Sequence, residues 1–336
     1  MAVPINTLVS DVAVGNREDL SNELSRLEPE QTPFISNIGS AKADATFTEW
    51  QIESIDALNT DNAHAEGDDT ALEAANIRER VGNRTQITKK SIVISGTQQA
   101  VVTAAVADEY DRQKMLKGIA AKRDIEFYMM SKQSSNDEGL DTAGAPVTVT
   151  GASGTVPNPR RAGGMQAWIT TNVSRGAGGA NGGFANGNVQ APVAGTPRAF
   201  TETLFKEVLL ERFNGTGQAS KNLQGYMSGK HKQEFSAFAG LSETRDRVAG
   251  RNKRVVYGSS DVYVGDFGTI TAVPHAYGIT DAVAVIDPTK WKVSTLRKMT
   301  TTPLAVTGDN MKSQMICEKT LKSLNEKSSA LIADLL

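Results

Sequence analysis

Phe47-Thr48-Glu49-Trp50-Gln51-Ile52 and Arg80-Val81-Gly82-Asn83-Arg84-Thr85-Gln86-Ile87 are two polar strands separated by a long acidic run. The first alternates apolar and polar side chains at period two, the pattern of a half-buried strand. The run between them carries Asp56, Asp61, Glu66, Asp68, Asp69 and Glu73, with His64 inside it and Gly67 in its middle. Arginines return at Arg78, Arg80 and Arg84. Together these residues predict a long hairpin with an acid-rich tip. Two strands bury little apolar surface, and an isolated hairpin is marginal in water, so an element of this shape persists because something covers it. The tip reads either as a solvated loop or as a charged finger meeting a basic surface on a neighbour. Charge placement of that kind sets register and partner choice more than affinity.

The segment ahead of the hairpin has the same character. A short helix is expected at Arg17 to Leu27, with Leu20, Leu24 and Leu27 on one face, and Pro29 and Pro33 break the chain after it. Beyond the hairpin, Ser91 to Ser95 reads as a more core-like strand. Asp108 to Met130 is the best helix, with Leu116, Ile119, Ala120, Arg123, Phe127 and Met130 as its expected face and acids at its N-terminal end. Tyr128 and Met129 widen the apolar surface at the other end. Residues 134–198 are rich in Gly, Ser, Thr, Asn and Pro, interrupted by one ordered segment from Gly163 to Asn172. Further helices are expected at Thr201 to Phe213, closed by Asn214-Gly215, and at Ala219 to Met227. Strands are expected at Val262 to Val264, Gly268 to Val273, Ala282 to Ile286, Trp291 to Leu296 and Gln314 to Thr320. The tail from Leu321 to Leu335 has helical spacing. Helices and strands mix without βαβ regularity, which gives an α+β class.

Composition narrows function by exclusion. The 336 residues carry 36 basic and 38 acidic side chains, a net charge of −2, so no bulk attraction to nucleic acid follows. The lone Cys317 excludes a disulfide framework and reads as a buried structural thiol. The start lacks the basic end and apolar run of a signal peptide, and no apolar stretch reaches membrane-span length. Gly176-Ala177-Gly178-Gly179-Ala180-Asn181-Gly182-Gly183 is followed by Phe184 and Ala185 rather than Lys and Ser or Thr, so it fails as a phosphate loop. It reads as a flexible surface loop. His64, His231 and His275 lack zinc spacing, and no nucleophile elbow is present. The short basic stretch Arg251 to Tyr257 suits a rim facing an acidic neighbour as well as it suits nucleic acid. No catalytic residue, cofactor or metal is expected.

A resemblance gives these features a purpose. Gly15-Asn16-Arg17-Glu18-Asp19-Leu20-Ser21, Pro29-Glu30-Gln31-Thr32-Pro33-Phe34 and Glu49-Trp50-Gln51 resemble the opening of a family of tailed-bacteriophage major capsid proteins. Arg80 to Ile87, Val93 to Gln98, Lys122 to Glu126, Ala167 to Asn172, Asp266-Phe267-Gly268, Asp287 to Trp291, Leu296-Arg297, Leu304 to Asp309, Thr320-Leu321 and Asn325 to Lys327 continue it in order across nearly the whole chain. The resemblance implies the Hong Kong ninety-seven type capsid fold. It divides the chain into an N-terminal arm at 1–45, an extended loop at 46–90 and a peripheral domain at 91–198 with its spine helix at 108–130. An axial domain follows at 199–287, and 288–336 returns to the peripheral domain.

The implied function is mechanical. Copies would form hexamers and pentamers of an icosahedral or prolate shell around packaged double-stranded DNA, held without sequence specificity. Implied partners are a portal protein, a separate scaffolding protein and, where one exists, a decoration or cement protein. No membrane is involved. The implied location is the virion, after assembly in the host bacterial cytoplasm. Arg17, Asp19, Phe34, Glu49, Trp50, Arg80, Arg84 and Gln86 are the candidate contacts between subunits. Trp50, with the pair Glu49 and Arg84, would dock the loop on a neighbour; the alternative is a Trp packed in its own hairpin base. A protein-storage nanocompartment on the same fold is the competing reading, and an enzyme using the glycine-rich loop is a distant one.

Overall fold

A long helix laid across a four-stranded sheet organises one half of the molecule. The computed structural model describes residues 31–56, 58–67, 69, 74–103, 106–151, 154–238 and 262–336. In chain order, the first half contains α1 (Pro33–Asn37), β1 (Gly39–Lys42), β2 (Phe47–Ile52), β3 (Glu79–Arg84), β4 (Gln86–Ser95), α2 (Gly96–Ala100), α3 (Glu109–Met130), β5 (Thr148–Gly151), β6 (Gly154–Pro157), α4 (Met165–Trp168), β7 (Val173–Ser174), β8 (Gly183–Ala185) and β9 (Asn188–Gln190). The second half contains α5 (Glu202–Thr216), β10 (Ser220–Met227), α6 (Gly229–Ser236), β11 (Val262–Gly265), β12 (Gly268–Pro274), β13 (Ala282–Ile286), β14 (Trp291–Pro303), β15 (Asn310–Ser323) and β16 (Ala330–Ala333).

Helix α3 starts where the sequence places it. The Asp108 side chain caps it by accepting from the Asp111 N–H at 3.0 Å, and Glu109 and Asp111 favour its positive end. Its 22 residues span about 33 Å. The buried face differs from the expected one. Ala121, Ile125, Tyr128 and Met129 are buried, whereas Phe127 is 54% exposed. The helix is apolar on two sides, and the sheet takes the side with the small residues. A Cβ built on Gly118 would make an ordinary contact with Met315, 3.8 Å from its sulfur, so this side of the helix faces β15. The expected burial of the helix's C-terminal end on two sides is borne out by Tyr128, Met129 and Met130.

The sheet under α3 runs β1-β14-β15-β4. The long β14–β15 pair is antiparallel and bends at register shifts near Arg297, while β1 joins in parallel. Strand β4 pairs along its whole length with β15, from Gln86↔Lys319 to Ser95↔Asn310. The expected strand from Arg80 to Ile87 is therefore two strands. Arg84 ends the hairpin partner of β2, and Gln86 begins the sheet. At the joint, the Thr85 N–H donates to the Thr46 carbonyl at 2.8 Å.

The other half is a six-stranded sheet ordered β11-β12-β10-β13-β16-β7. Its centre, β13 and β16, is buried at every position, the continuous apolar pattern of a strand covered on both faces. Phe200, Phe205, Phe235, Phe238 and Tyr263 pack on it with α5 and α6 as a second core. Three expectations fail here. Residues 219–227 form β10 rather than a helix, because pairing with β12 and β13 outweighs a short run's local preference. The tail from 321 to 335 is the end of β15, a 3-10 turn and β16, not a helix, and β16 lies beside β13 rather than with the four-stranded sheet. Helix α5 passes Asn214-Gly215 and stops at Gly217, whose φ of 63° closes it in the left-handed conformation.

The glycine-rich stretch is packed, not loose. A Cβ on Gly176 would meet the Thr196 carbonyl oxygen at 1.9 Å, and one on Gly195 would meet the Gly176 carbonyl oxygen at 2.3 Å. Glycine is there to let two backbone segments touch. The ordered segment expected at 163–172 is confirmed by the unbroken burial of Ala162 to Ile169.

Candidate intersubunit surface

The β2–β3 hairpin is buried at its root and bare beyond it. Every described residue from Glu53 to Arg80 is exposed. Ile55, Leu58 and Ile77 are 95%, 89% and 90% exposed, beside the carboxylates of Glu53, Asp56, Asp61, Glu66 and Asp69. Among the described residues thin ties cross the loop: Asn76 Nδ2 donates to the Ser54 carbonyl at 3.1 Å, Arg78 donates to Gln51 Oε1 at 3.5 Å, and Arg78 lies 3.7 Å from Glu53. Such exposed pairs contribute at most about 1 kcal/mol. These ties leave the side chains of Ile55, Leu58 and Ile77 uncovered.

The root is held firmly. Trp50 stacks against Trp168 with ring centroids 5.3 Å apart, and Lys322 Nζ lies 5.3 Å from the Trp50 ring. Asn83, fully buried, uses its amide completely. Its Nδ2 donates to the Gly163 and Leu321 carbonyls, and its Oδ1 accepts from the Gly163 and Arg84 N–H groups. Beneath it, the nearly buried Glu318 accepts from Thr85 Oγ1 at 2.7 Å and Arg297 Nε at 2.9 Å and pairs with Arg160. Burial alone would push the Glu318 carboxyl up. The hydrogen bonds from Thr85 and Arg297 and the charges of Arg160 and Arg297 outweigh it and hold the group below the usual glutamate range. Cys317, next along β15, is buried as expected, and burial raises its thiol.

A second clasp ties α1 to α3. Glu126 of α3 is fully buried. Its Oε1 accepts from the Phe34 N–H at 2.7 Å and from His275 Nε2 at 2.8 Å, and its Oε2 accepts from the Ile35 N–H at 2.9 Å. The Tyr277 N–H donates to His275 Nδ1 at 3.3 Å, so Nε2 carries the proton it gives to Glu126. Phe34 meets Tyr226 edge-to-face at 5.6 Å.

Against this geometry the eight candidate contacts separate. Arg17, Asp19 and the expected helix from Arg17 to Leu27 lie outside the described residues, as does the basic stretch Arg251 to Tyr257. Phe34 and Trp50 are buried in their own chain, Trp50 against Trp168 at the root of the hairpin. Arg84 does not pair with Glu49. It sits over the Phe47 ring and meets Asp137 at 2.9 Å, while Glu49 faces Arg80 at 3.5 Å on the hairpin surface. Gln86 Oε1 accepts from Gln133 Nε2 and the Ala162 N–H. Sequence reasoning missed Asn83, Glu126, Glu318 and His275. Two signals were there to read: an Asn following a Gly inside a strand, and a Glu between Ile125 and Phe127 in an apolar helix end.

A spine helix on one sheet, a second six-stranded sheet and a bare extended hairpin together define a shell protein of the Hong Kong ninety-seven type. Solved capsids share the architecture. The Cyanophage A-1(L) capsid asymmetric unit aligns at TM-score 0.61 and 10% identity over 97% of this chain and 98% of that one. The capsid of a native GTA particle aligns at TM-score 0.56 and 10% identity over 99% and 100%. The chain belongs to the SU10 major capsid protein family, which matches residues 6–336. It is also 25% identical over 344 residues to the major capsid protein of Escherichia phage Phieco32, covering 95% of this chain and 94% of that protein. It is thus a structural capsid protein and a virion component, not an enzyme, and these relatives do not favour the nanocompartment alternative.

Proposed function

We propose that copies of this chain close into hexamers and pentamers of a phage head around double-stranded DNA, with the extended loop as the strap between neighbours. The single observation that carries this is the bare loop: Ile55, Leu58 and Ile77 stand in water on a segment that the described chain does not cover. Apolar groups presented together on a projecting element mark a contact surface. Repeated symmetric contacts of this kind can each be weak, because linked contacts reinforce one another through effective concentration. In this reading α3 and the four-stranded sheet form the peripheral domain, and the six-stranded sheet with α5 and α6 forms the axial domain. Glu49 and Arg80, exposed on the hairpin, are its polar contacts. Arg17 and Asp19 belong to an arm that reaches adjacent subunits. The portal, a separate scaffolding protein and any decoration protein bind the assembled lattice, in the host cytoplasm, and DNA is held inside without sequence specificity. A net charge of −2 suits a container that must not trap DNA during packaging.

Electron microscopy of the expressed protein, alone and with its scaffolding partner, tests the reading. Closed shells are expected with the scaffold. A chain that stays monomeric under both conditions overturns it. Replacing residues 54–77 by a short Gly-Ser turn should leave a folded monomer and abolish shells; shells formed without the loop would refute its role as the strap.

A further inference from the structure

Helix α3 carries a second apolar strip on the side away from the four-stranded sheet. Leu116, Ala120, Arg123 and Phe127 follow one another along it at three- and four-residue spacing. The last three, with Asp124 and Tyr277, border an open groove of about 310 Å³. The Arg123 guanidinium stands 5.5 Å from the centre of the Tyr277 ring, which forms one wall.

The groove lies where the arm enters the described structure. Tyr277 Oη donates to the Gln31 carbonyl, and Glu126, one residue before Phe127, holds the N–H groups of Phe34 and Ile35. The chain running back from Phe34 therefore arrives at the rim of the groove at Gln31. Leu27 is four residues upstream of Gln31, a reach of at most about 14 Å. From Phe127 back to Leu116 the strip is about 16 Å long. The spacing of Leu20, Leu24 and Leu27 offers three apolar contacts at the same repeat.

We propose that residues 17–27 seat these three leucines on the Leu116–Phe127 strip of the same chain, as a strap in cis. The polar face of this segment, with Arg17 and Asp19, and the chain before it then remain to reach a neighbour. This deepens the role given to the arm in the proposed shell and rests on that reading only for its biological use. The tether decides between occupants. Four residues hold the segment at an effective concentration in the millimolar range, well above that of a second copy before assembly.

The test uses the full chain carrying Leu27→Cys and Ala120→Cys, with the buried Cys317 left in place, and a short bismaleimide. A crosslink within one chain is expected, visible as a monomer whose two segments stay joined after proteolysis. Phe127→Glu, at an exposed position, should lower that yield at least tenfold and raise the cleavage rate within residues 17–30 by a similar factor, with unchanged circular dichroism. A mixture of chains, each carrying one of the two cysteines, should give no crosslinked dimer. Dimers from the mixture would assign the groove to a second copy and overturn the proposal. No crosslink within the chain, or crosslinking blocked by added scaffolding protein, would also overturn it. Shells seen by microscopy without the intrachain crosslink refute the strap alone; a crosslinked chain that never forms shells refutes the assembly reading alone.

Discussion

Removing the Glu126 carboxylate should loosen the arm from the spine helix at a cost large enough to measure. Glu126 is buried and accepts three hydrogen bonds, at 2.7, 2.8 and 2.9 Å, from Phe34, His275 and Ile35. Glu126→Ala leaves two backbone N–H groups and one imidazole N–H without an acceptor. A buried donor left unpaired costs about 1–3 kcal/mol, so the three neutral donors together put the loss at about 3 kcal/mol or more. At about 3 kcal/mol the opened population rises roughly 150-fold. Glu126→Gln keeps the shape but turns an amide N–H towards one of the donors, so it should lose about 1–3 kcal/mol. Urea unfolding of the unassembled chain gives the total loss, and hydrogen exchange at Phe34 and Ile35 gives the local opening. If Glu126→Ala costs less than about 1 kcal/mol and leaves those two amides as protected as before, the clasp does not hold the arm and the reasoning fails.

Trp50→Ala should destabilise the unassembled chain by about 3–5 kcal/mol, because Trp50 packs on Trp168 inside its own subunit; a stable variant that fails only in shell formation would instead make Trp50 a contact between subunits. Gly176→Ala should reduce soluble yield and melting temperature, since its Cβ would stand 1.9 Å from the Thr196 carbonyl oxygen, and an unchanged melting curve would show that this loop is not packed as described. Glu318 is held below its ordinary range, so its stabilising effect is complete above the usual glutamate pKa of about 4.3 and is lost as pH falls through the lower folded value. Glu318→Gln should therefore lower stability at neutral pH and flatten its decline between about pH 5 and pH 3, and a decline as steep as in the unsubstituted chain would assign it to other groups.

How much was legible depends on whether the signal was local. The span of α3 was readable because Asp108, Glu109 and Asp111 mark its start and a long apolar-rich run follows. Its buried face was not, since the helix has two apolar sides and only packing on the four-stranded sheet, where Gly118 faces Met315 of β15, selects one. β10 and β16 looked helical because short runs carry little periodic information, and their strand state comes from partners on both sides. The glycine run looked loose because composition does not reveal that Gly176 and Gly195 lie against each other. Of the candidate contacts, Glu49 and Arg80 stand on the surface, while Trp50, Phe34, Arg84 and Gln86 turn inward to partners distant in sequence.

The amino-acid sequence by itself determined that a polar hairpin with an acidic tip exists, where the long helix lies, and that the chain offers no motif for a catalytic site. These follow from period-two alternation, from capping and from residue types in fixed local spacing. The tertiary structure alone decided which side of α3 is buried, that Arg84 pairs with Asp137 rather than Glu49, and that Glu126 clasps the arm. Those outcomes depend on contacts between residues about fifty to two hundred positions apart, where packing and hydrogen-bond satisfaction outweigh any preference written locally in the chain.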